Sequence, residues 1–242
     1  MSASASSSVT AKIYIFYHIH CCSTDLFRIN IMREQLSRII FSGLYAAVDK
    51  IYCFLANGSP NSLKLYLNVL ENIGDKIHII VAPPHPVAGH QHYEKYTLSC
   101  IRQYIKSADL FLYIHTKGIT YNQHDPIYVK VEHWRTLLEY FLVGKHRECI
   151  AKLVDEGYDT VGANYTATSA IAPQHYSGNF WWCKGEHFLR LSPTIGDNYH
   201  DVEFYLFTVP HRFYSMFDSG INHYLAAFPP KKYIDDEKIA KI

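Results

Sequence analysis

Apolar residues in this chain come in short, dense runs separated by stretches of helical spacing, and the alternation is regular through about the first 165 residues. Ile13–His20 (IYIFYHIH), Lys50–Ala56 (KIYCFLA), Lys76–Ala82 (KIHIIVA) and Asp109–Ile114 (DLFLYI) have strand length and are rich in β-branched and aromatic residues. Between the first two, Leu26–Phe41 puts Ile29, Met32, Leu36, Ile39 and Ile40 on one helical face, with Gly43 as a stop signal. Helices are also predicted over Ser62–Ile73, closed by Gly74, and over Tyr93–Lys106. Pro83 and Pro84 end the third strand, and residues 85–93 (HPVAGHQHY) read as a polar loop. A loop over 118–127 precedes a long helix, Tyr128–Glu156. A fifth strand follows over Tyr158–Ala163, then a sixth within 179–183 and a short helix over 185–191. The stretch 192–242 is less regular, with a helix around 200–207 and a strand or two near 211–217.

Strands alternating with helices predict an α/β fold with a central, mostly parallel sheet flanked by helices on both faces. Right-handed crossovers bring the carboxyl ends of parallel strands to one edge. That edge would gather His18, His20 and Cys21, Asn57 and Gly58, Pro83 to His85, and His115 to Gly118. No internal repeat or linker divides the chain. The expectation is one domain over 12–242 behind a Ser/Ala-rich tail, 1–11, expected to be disordered.

Composition narrows the function classes. The net charge of +1 comes without a basic stripe, so nucleic acid is not an expected partner. The 20 Tyr, 13 Phe and 3 Trp suit a protein that handles ring-shaped polar ligands, although packing accounts for most of them. Six cysteines without a C-x-x-C pair fit reduced, buried thiols. The first residues lack the apolar core of a signal peptide and no apolar run has membrane-span length, so a cytoplasmic location is expected. Asn57-Gly58-Ser59 and Asn164-Tyr165-Thr166 are treated as chance matches to the glycosylation pattern.

The richest stretch is 109–118, DLFLYIHTKG, where a buried run ends abruptly in His115, Thr116, Lys117 and Gly118. Ligands of open α/β sheets bind outside the carboxyl ends of the strands. There is no G-x-x-x-x-G-K-[ST], no G-x-G-x-x-G after the first strand and no G-x-S-x-G, which argues against P-loop, dinucleotide-binding and α/β-hydrolase chemistry. YIHTKG (113–118) with WRTLLEYF (134–141), YDTVGANY (158–165) and SGNFWWCK (177–184) together resemble nucleotide-sugar glycosyltransferases of the GT-A type. The nearer likeness is to small glycosyltransferase domains of bacterial surface-polysaccharide clusters and of large DNA viruses that glycosylate their capsids. The resemblance spans roughly residues 12–210. It implies hexosyl or deoxyhexosyl transfer from a nucleotide diphosphate sugar, a UDP-sugar first, to a glycan or glycoprotein acceptor.

Most GT-A enzymes end the fourth strand in Asp-x-Asp, which holds Mn²⁺ or Mg²⁺ against the donor diphosphate; here the position reads His115-Thr116-Lys117. Two readings stand. Lys117 could replace the metal as a point charge on the diphosphate. Alternatively, His115 could ligate a metal with carboxylates from elsewhere, such as Asp201 or Asp218, although imidazole is not the preferred ligand of hard Mg²⁺. The loop histidines His85, His90 and His92 are read as solvated rather than as ligands. The resemblance places Tyr17 against the base, His18 on the ribose or base, and Gly118 at the donor pocket, to which Tyr93 or Lys95 could contribute. Asn179 and one of Trp181 and Trp182 would meet sugar. Glu203, then Asp201, are the candidates for catalytic base, although acidic residues in a first helical turn are also ordinary dipole compensation. The second reading is a catalytically silent sugar- or nucleotide-binding module on the same fold.

Overall fold

The structure, a computed structural model, describes residues 11–87, 91–170 and 172–234; nearly all of the expected disordered tail and His90 lie outside them. Strands β1 (Ile13–His20), β2 (Lys50–Ala56), β3 (Ile77–Val81) and β4 (Leu110–His115) run parallel in the order β3-β2-β1-β4. Helix α1 (Leu26–Phe41) starts where the Asp25 carboxylate accepts from the Phe27 amide, and it ends before Gly43, whose φ of 83° suits a residue without a Cβ. A single turn, α2 (Leu44–Ala47), leads into β2. Helix α3 (Pro60–Leu70) has Ser59 as its cap and proline at its first position. Helix α4 (Lys95–Ile101) is shorter than the apolar spacing suggests. Beyond it, the Gln103 and Tyr104 amides bond three residues back in tight turns, and Arg102 donates to the Leu189 and Leu191 carbonyls.

The predicted long helix is three pieces: α5 (Tyr128–Glu139), a π-helical turn (Tyr140–Gly144) and α6 (His146–Val154). Within the π turn, the Leu142 carbonyl accepts from the Trp182 indole and the Phe141 carbonyl from the Cys149 thiol.

The second half of the chain completes the sheet with short strands: β5 (Thr160–Gly162), β8 (Trp181–Lys184) and β9 (Phe213–Ser215) extend it as β4-β8-β5-β9, seven strands in all. Strands β6 (Tyr165–Thr166) and β7 (His175–Tyr176) form a separate pair that the sequence reading did not contain. Helices α7 (Gly185–Arg190) and α8 (Asp201–Phe204) follow β8, and α8 continues into a 3₁₀ turn, Tyr205–Phe207. Strand β8 is antiparallel to both neighbours, with Tyr113 opposite Trp181. The start of β8 therefore lies at the carboxyl edge of β4. That inversion carries Gly178 and Asn179 to the strand tip.

The fold is thus α/β with a mixed, mostly parallel sheet covered on both faces. Strand pleating divides the core. Ile15, Tyr17, Ile19, Leu112 and Ile114 pack with α1, α3 and α5. Tyr14, Phe16, Phe111, Tyr113 and Trp181 pack on the other face with α4, α7 and α8. Both layers are rich in aromatic rings; in the second, Phe16 stacks on Tyr52 with centroids 5.2 Å apart. All six cysteines are free thiols, four of them buried. The side-chain amides of Asn57 and Asn164 are engaged in internal hydrogen bonds. Among the described residues no helix is long and apolar enough to cross a membrane.

Candidate functional site

A cleft opens at the carboxyl edge of β1 and β4, on the face that carries α4 and α8. Its walls include His18, His20, Glu94, His115, Lys117, Gly118 and Glu203, with Tyr93 and Tyr199 among them. The β4 tip is held rigidly. Gln35 of α1 donates to the His115 carbonyl, Arg135 of α5 donates to the Lys117 carbonyl, and the Thr116 hydroxyl accepts from the His20 amide. Gly118 has φ of 91°, and a Cβ there would lie 3.1 Å from Val131.

Lys117 is the centre of the cleft's electrostatics. Its side chain is buried, and the ammonium sits 3.4 Å from the centroid of Trp134, which stacks in turn on His223. No hydrogen-bond acceptor meets that ammonium among the described residues. Burial pulls its pKa down to about 8, while the carboxylates of Glu203 and Glu94 oppose the shift. His115 is neutral: burial, then the charge of Lys117, push its pKa to about 3. A carbonyl can only accept, so the 3.0 Å contact to Gly178 O puts the ring proton on Nε2.

His20 has a defined tautomer as well. The Asn57 amide accepts from the His92 N–H and donates to the His92 carbonyl, which fixes its orientation. The Asn57 amino group also meets His20 Nδ1 at 2.8 Å, so that nitrogen accepts and Nε2 carries the hydrogen. His18 Nδ1 pairs with the Thr97 hydroxyl, and burial keeps this ring neutral too.

Glu94, just before α4, was not singled out in the sequence, although its neighbours Tyr93 and Lys95 were. Its Oε2 accepts from the Tyr113 hydroxyl at 2.9 Å and from the Asn179 amide at 2.5 Å. Oε1 lies 3.7 Å from His115 Nε2, and about 20% of the side chain stays open, toward the cleft. Burial raises its pKa above the ordinary carboxylate value, and the two hydrogen bonds offset part of that. Nothing in the local sequence marks this residue. The signal is spatial, because Tyr113 and Asn179 reach it from β4 and from the start of β8.

Several expected site residues stand elsewhere. Tyr17 is fully buried on the α1 face with its hydroxyl on Gln35, so its ring offers no face to a base. Trp181 and Trp182 are both buried, bonded to Asn179 Oδ1 and the Leu142 carbonyl. Asn179 is itself buried, with φ of 55°, and its amide links Trp181 to Glu94. Asp201 accepts from the Asn198 amide and closes its own turn, whereas Glu203 of the same helix lines the cleft. The aromatic rings that are open at the cleft are Tyr93 and Tyr199, packed edge to face at 5.3 Å and 49% and 65% exposed.

The strand tip supplies no carboxylate where the GT-A pattern has Asp-x-Asp, and the Nε2 hydrogen of His115 goes to Gly178, which leaves Nδ1 as its lone-pair nitrogen. Asp218 instead accepts from the Tyr165 amide and the Ser215 hydroxyl. Among the described residues no three His, Cys, Asp or Glu side chains converge as a metal site.

No protein-family model matches the chain, and no curated protein matches it. Among solved structures, the chain is similar to 4-diphosphocytidyl-2C-methyl-D-erythritol synthase from Anaerococcus prevotii DSM 20548, at 8% identity and TM-score 0.46, over 92% of this chain and 94% of that one. A protein from Desulfovibrio desulfuricans G20, provisionally assigned as a nucleotide-diphospho-sugar transferase, aligns at 7% identity and TM-score 0.41, over 86% and 80%. A galactosyltransferase, LgtC, solved with donor and acceptor sugar analogues, aligns at 10% identity and TM-score 0.41, over 83% and 67%.

Proposed function

We propose that this protein is a glycosyltransferase that moves a sugar from a nucleotide diphosphate sugar, a UDP-sugar first, to a glycan or glycoprotein acceptor. The observation that carries the reading is Lys117. A buried ammonium on an aromatic face, without an acceptor of its own and open to a cleft at the carboxyl edge of a sheet, suits an anionic ligand. The diphosphate supplies that anion, and Lys117 stabilises the negative charge that grows on it as the glycosidic bond breaks. His20 also lines the cleft, and its Nε2 carries a hydrogen. The exposed rings of Tyr93 and Tyr199 offer flat surfaces to a sugar or a base. Two carboxylates, Glu94 and Glu203, reach the cleft and are the candidates for receiving the acceptor proton.

Calorimetric titration with UDP, GDP, CMP and TDP, each with and without Mn²⁺, tests the reading, followed by UDP release from UDP-glucose and UDP-galactose. The expected result is metal-independent UDP binding that is lost in Lys117→Met, together with sugar-dependent UDP release. Binding that needs Mn²⁺ and survives Lys117→Met overturns the role of Lys117. Nucleotide binding without release from any donor favours a silent binding module.

A further inference from the structure

Glu94 and Glu203 both face Lys117, but only one of them is held. Two donors, Tyr113 of β4 and Asn179 of the turn before β8, clamp Glu94 Oε2, and this fixes the carboxylate plane and leaves Oε1 to the cleft. Oε1 has no hydrogen-bond donor among the described residues. Its neighbour His115 Nε2, at 3.7 Å, already gives its hydrogen to Gly178. Oε1 therefore opens to the cleft with its lone pairs unengaged by the protein, available to a hydroxyl that donates to it. Glu203 differs: it rides on a four-residue helix, its carboxylate is 28% exposed, and its one close ion-pair partner is His200 Nδ1 at 3.6 Å, a ring that is itself exposed.

We propose that Glu94 is the carboxylate that binds the acceptor hydroxyl and takes its proton, a role that rests on the transferase reading above. The acceptor O–H donates to Oε1. As that oxygen bonds to the anomeric carbon, its proton passes to Glu94. The bond from the anomeric carbon to the phosphate oxygen breaks, and the electron pair leaves on the nucleoside diphosphate, beside the Lys117 ammonium. Proton and charge balance without a further reactant. Tyr113 and Asn179 are then positioning residues, because they hold the base at one angle. Tyr93, adjacent in sequence, and Tyr199 give the acceptor ring a face on the same side.

The test compares Glu94→Gln and Glu203→Gln with the wild type, measuring UDP affinity by calorimetry and UDP release from UDP-galactose with methyl glucoside or water as acceptor. Glu94→Gln is expected to bind UDP within about threefold of wild type and to release it about 100-fold more slowly, a typical loss for a general base. Glu203→Gln is expected to lose less than about tenfold by the same criterion. Should Glu94→Gln fail to fold, Glu94→Asp keeps the charge and withdraws the oxygen by one methylene. An approximately tenfold slower release with unchanged UDP affinity then supports the proposal, and a wild-type rate overturns it. A larger loss in Glu203→Gln than in Glu94→Gln also overturns it, as does parallel loss of UDP binding and rate in Glu94→Gln. A wild-type protein that binds UDP but releases none from any donor fails at the transferase reading itself, an outcome distinct from an active wild type with an equally active Glu94→Gln.

Discussion

Arg135 and Lys117 are both buried cations at the tip of β4, and the protein meets them in opposite ways. Arg135 donates to the Lys117 carbonyl and to Glu34, each at 3.1 Å, and lies 3.5 Å from Glu139. Glu139 is buried between Arg135 and Arg38, the latter at 2.9 Å. Every charge in that group has a partner within the chain. Lys117 has an indole face beneath it and an open cleft beside it. Arg135 is paired by groups of the protein itself, whereas the Lys117 ammonium has no acceptor among the described residues. A cation paired by carboxylates of its own chain contributes to architecture; one left without a carboxylate beside an open cleft is shaped for something that arrives from outside.

The contrast breaks if both clusters respond alike to mutation. The largest effect is expected from Glu139→Ala, which takes the buried Glu139 carboxylate from the buried Arg135 and from the partly exposed Arg38. Unfolding by denaturant should show a loss of about 3–5 kcal/mol. Lys117→Met should do the reverse. Its melting temperature should equal or exceed that of the wild type, because an uncompensated buried charge is removed, while calorimetry should show UDP binding weakened by about 2 kcal/mol or more. A destabilised Lys117→Met with normal UDP affinity would invert the assignment.

The pH dependence sharpens the same point. Lys117 faces His115, Arg135, Glu94 and Glu203, and its pKa of about 8 leaves it charged at neutral pH. The neutral form gains population as pH rises through that value, so UDP affinity should fall by up to about tenfold per pH unit above it, and the fall should be absent in Lys117→Met. The smallest effect belongs to Tyr113→Phe. It removes one donor from Glu94 and should cost about 1 kcal/mol of stability in a denaturant titration. Its catalytic loss should exceed that stability loss if the clamp on Glu94 matters for turnover.

How much of this was legible in the sequence depended on how local the cause was. Ile13–His20, Leu26–Phe41 and Lys50–Ala56 stand where the pattern of apolar and polar residues put them, because strand pleating, a capping Asp25 and a glycine stop act over a few residues. The tip at His115–Gly118 was legible for the same reason. The direction of β8 was not, since a four-residue strand carries no mark of parallel or antiparallel pairing. Everything that followed from that direction was hidden with it: the burial of both tryptophans, the turning of Asn179 toward Glu94, and Glu94 itself. Tyr17 was misplaced by one step of alternation. Its neighbours His18 and Phe16 point to the cleft face, and it points away.

The π-helical turn between α5 and α6 explains why the pattern there looked like one helix. Buried Trp134, Leu138, Leu142, His146, Cys149 and Leu153 form a stripe whose steps are slightly too long for an ideal α-helix. At about 100° per residue, the stripe slips out of phase by about one residue over its length. The wide turn at Tyr140–Gly144 absorbs that residue, so the apolar edge of α6 meets the sheet in step with that of α5. Excising one residue from the turn would restore an unbroken α-helix. His146, Cys149 and Leu153 would still face the sheet, whereas tightening the turn to α-helical pitch with no residue removed would rotate them away by about 100°.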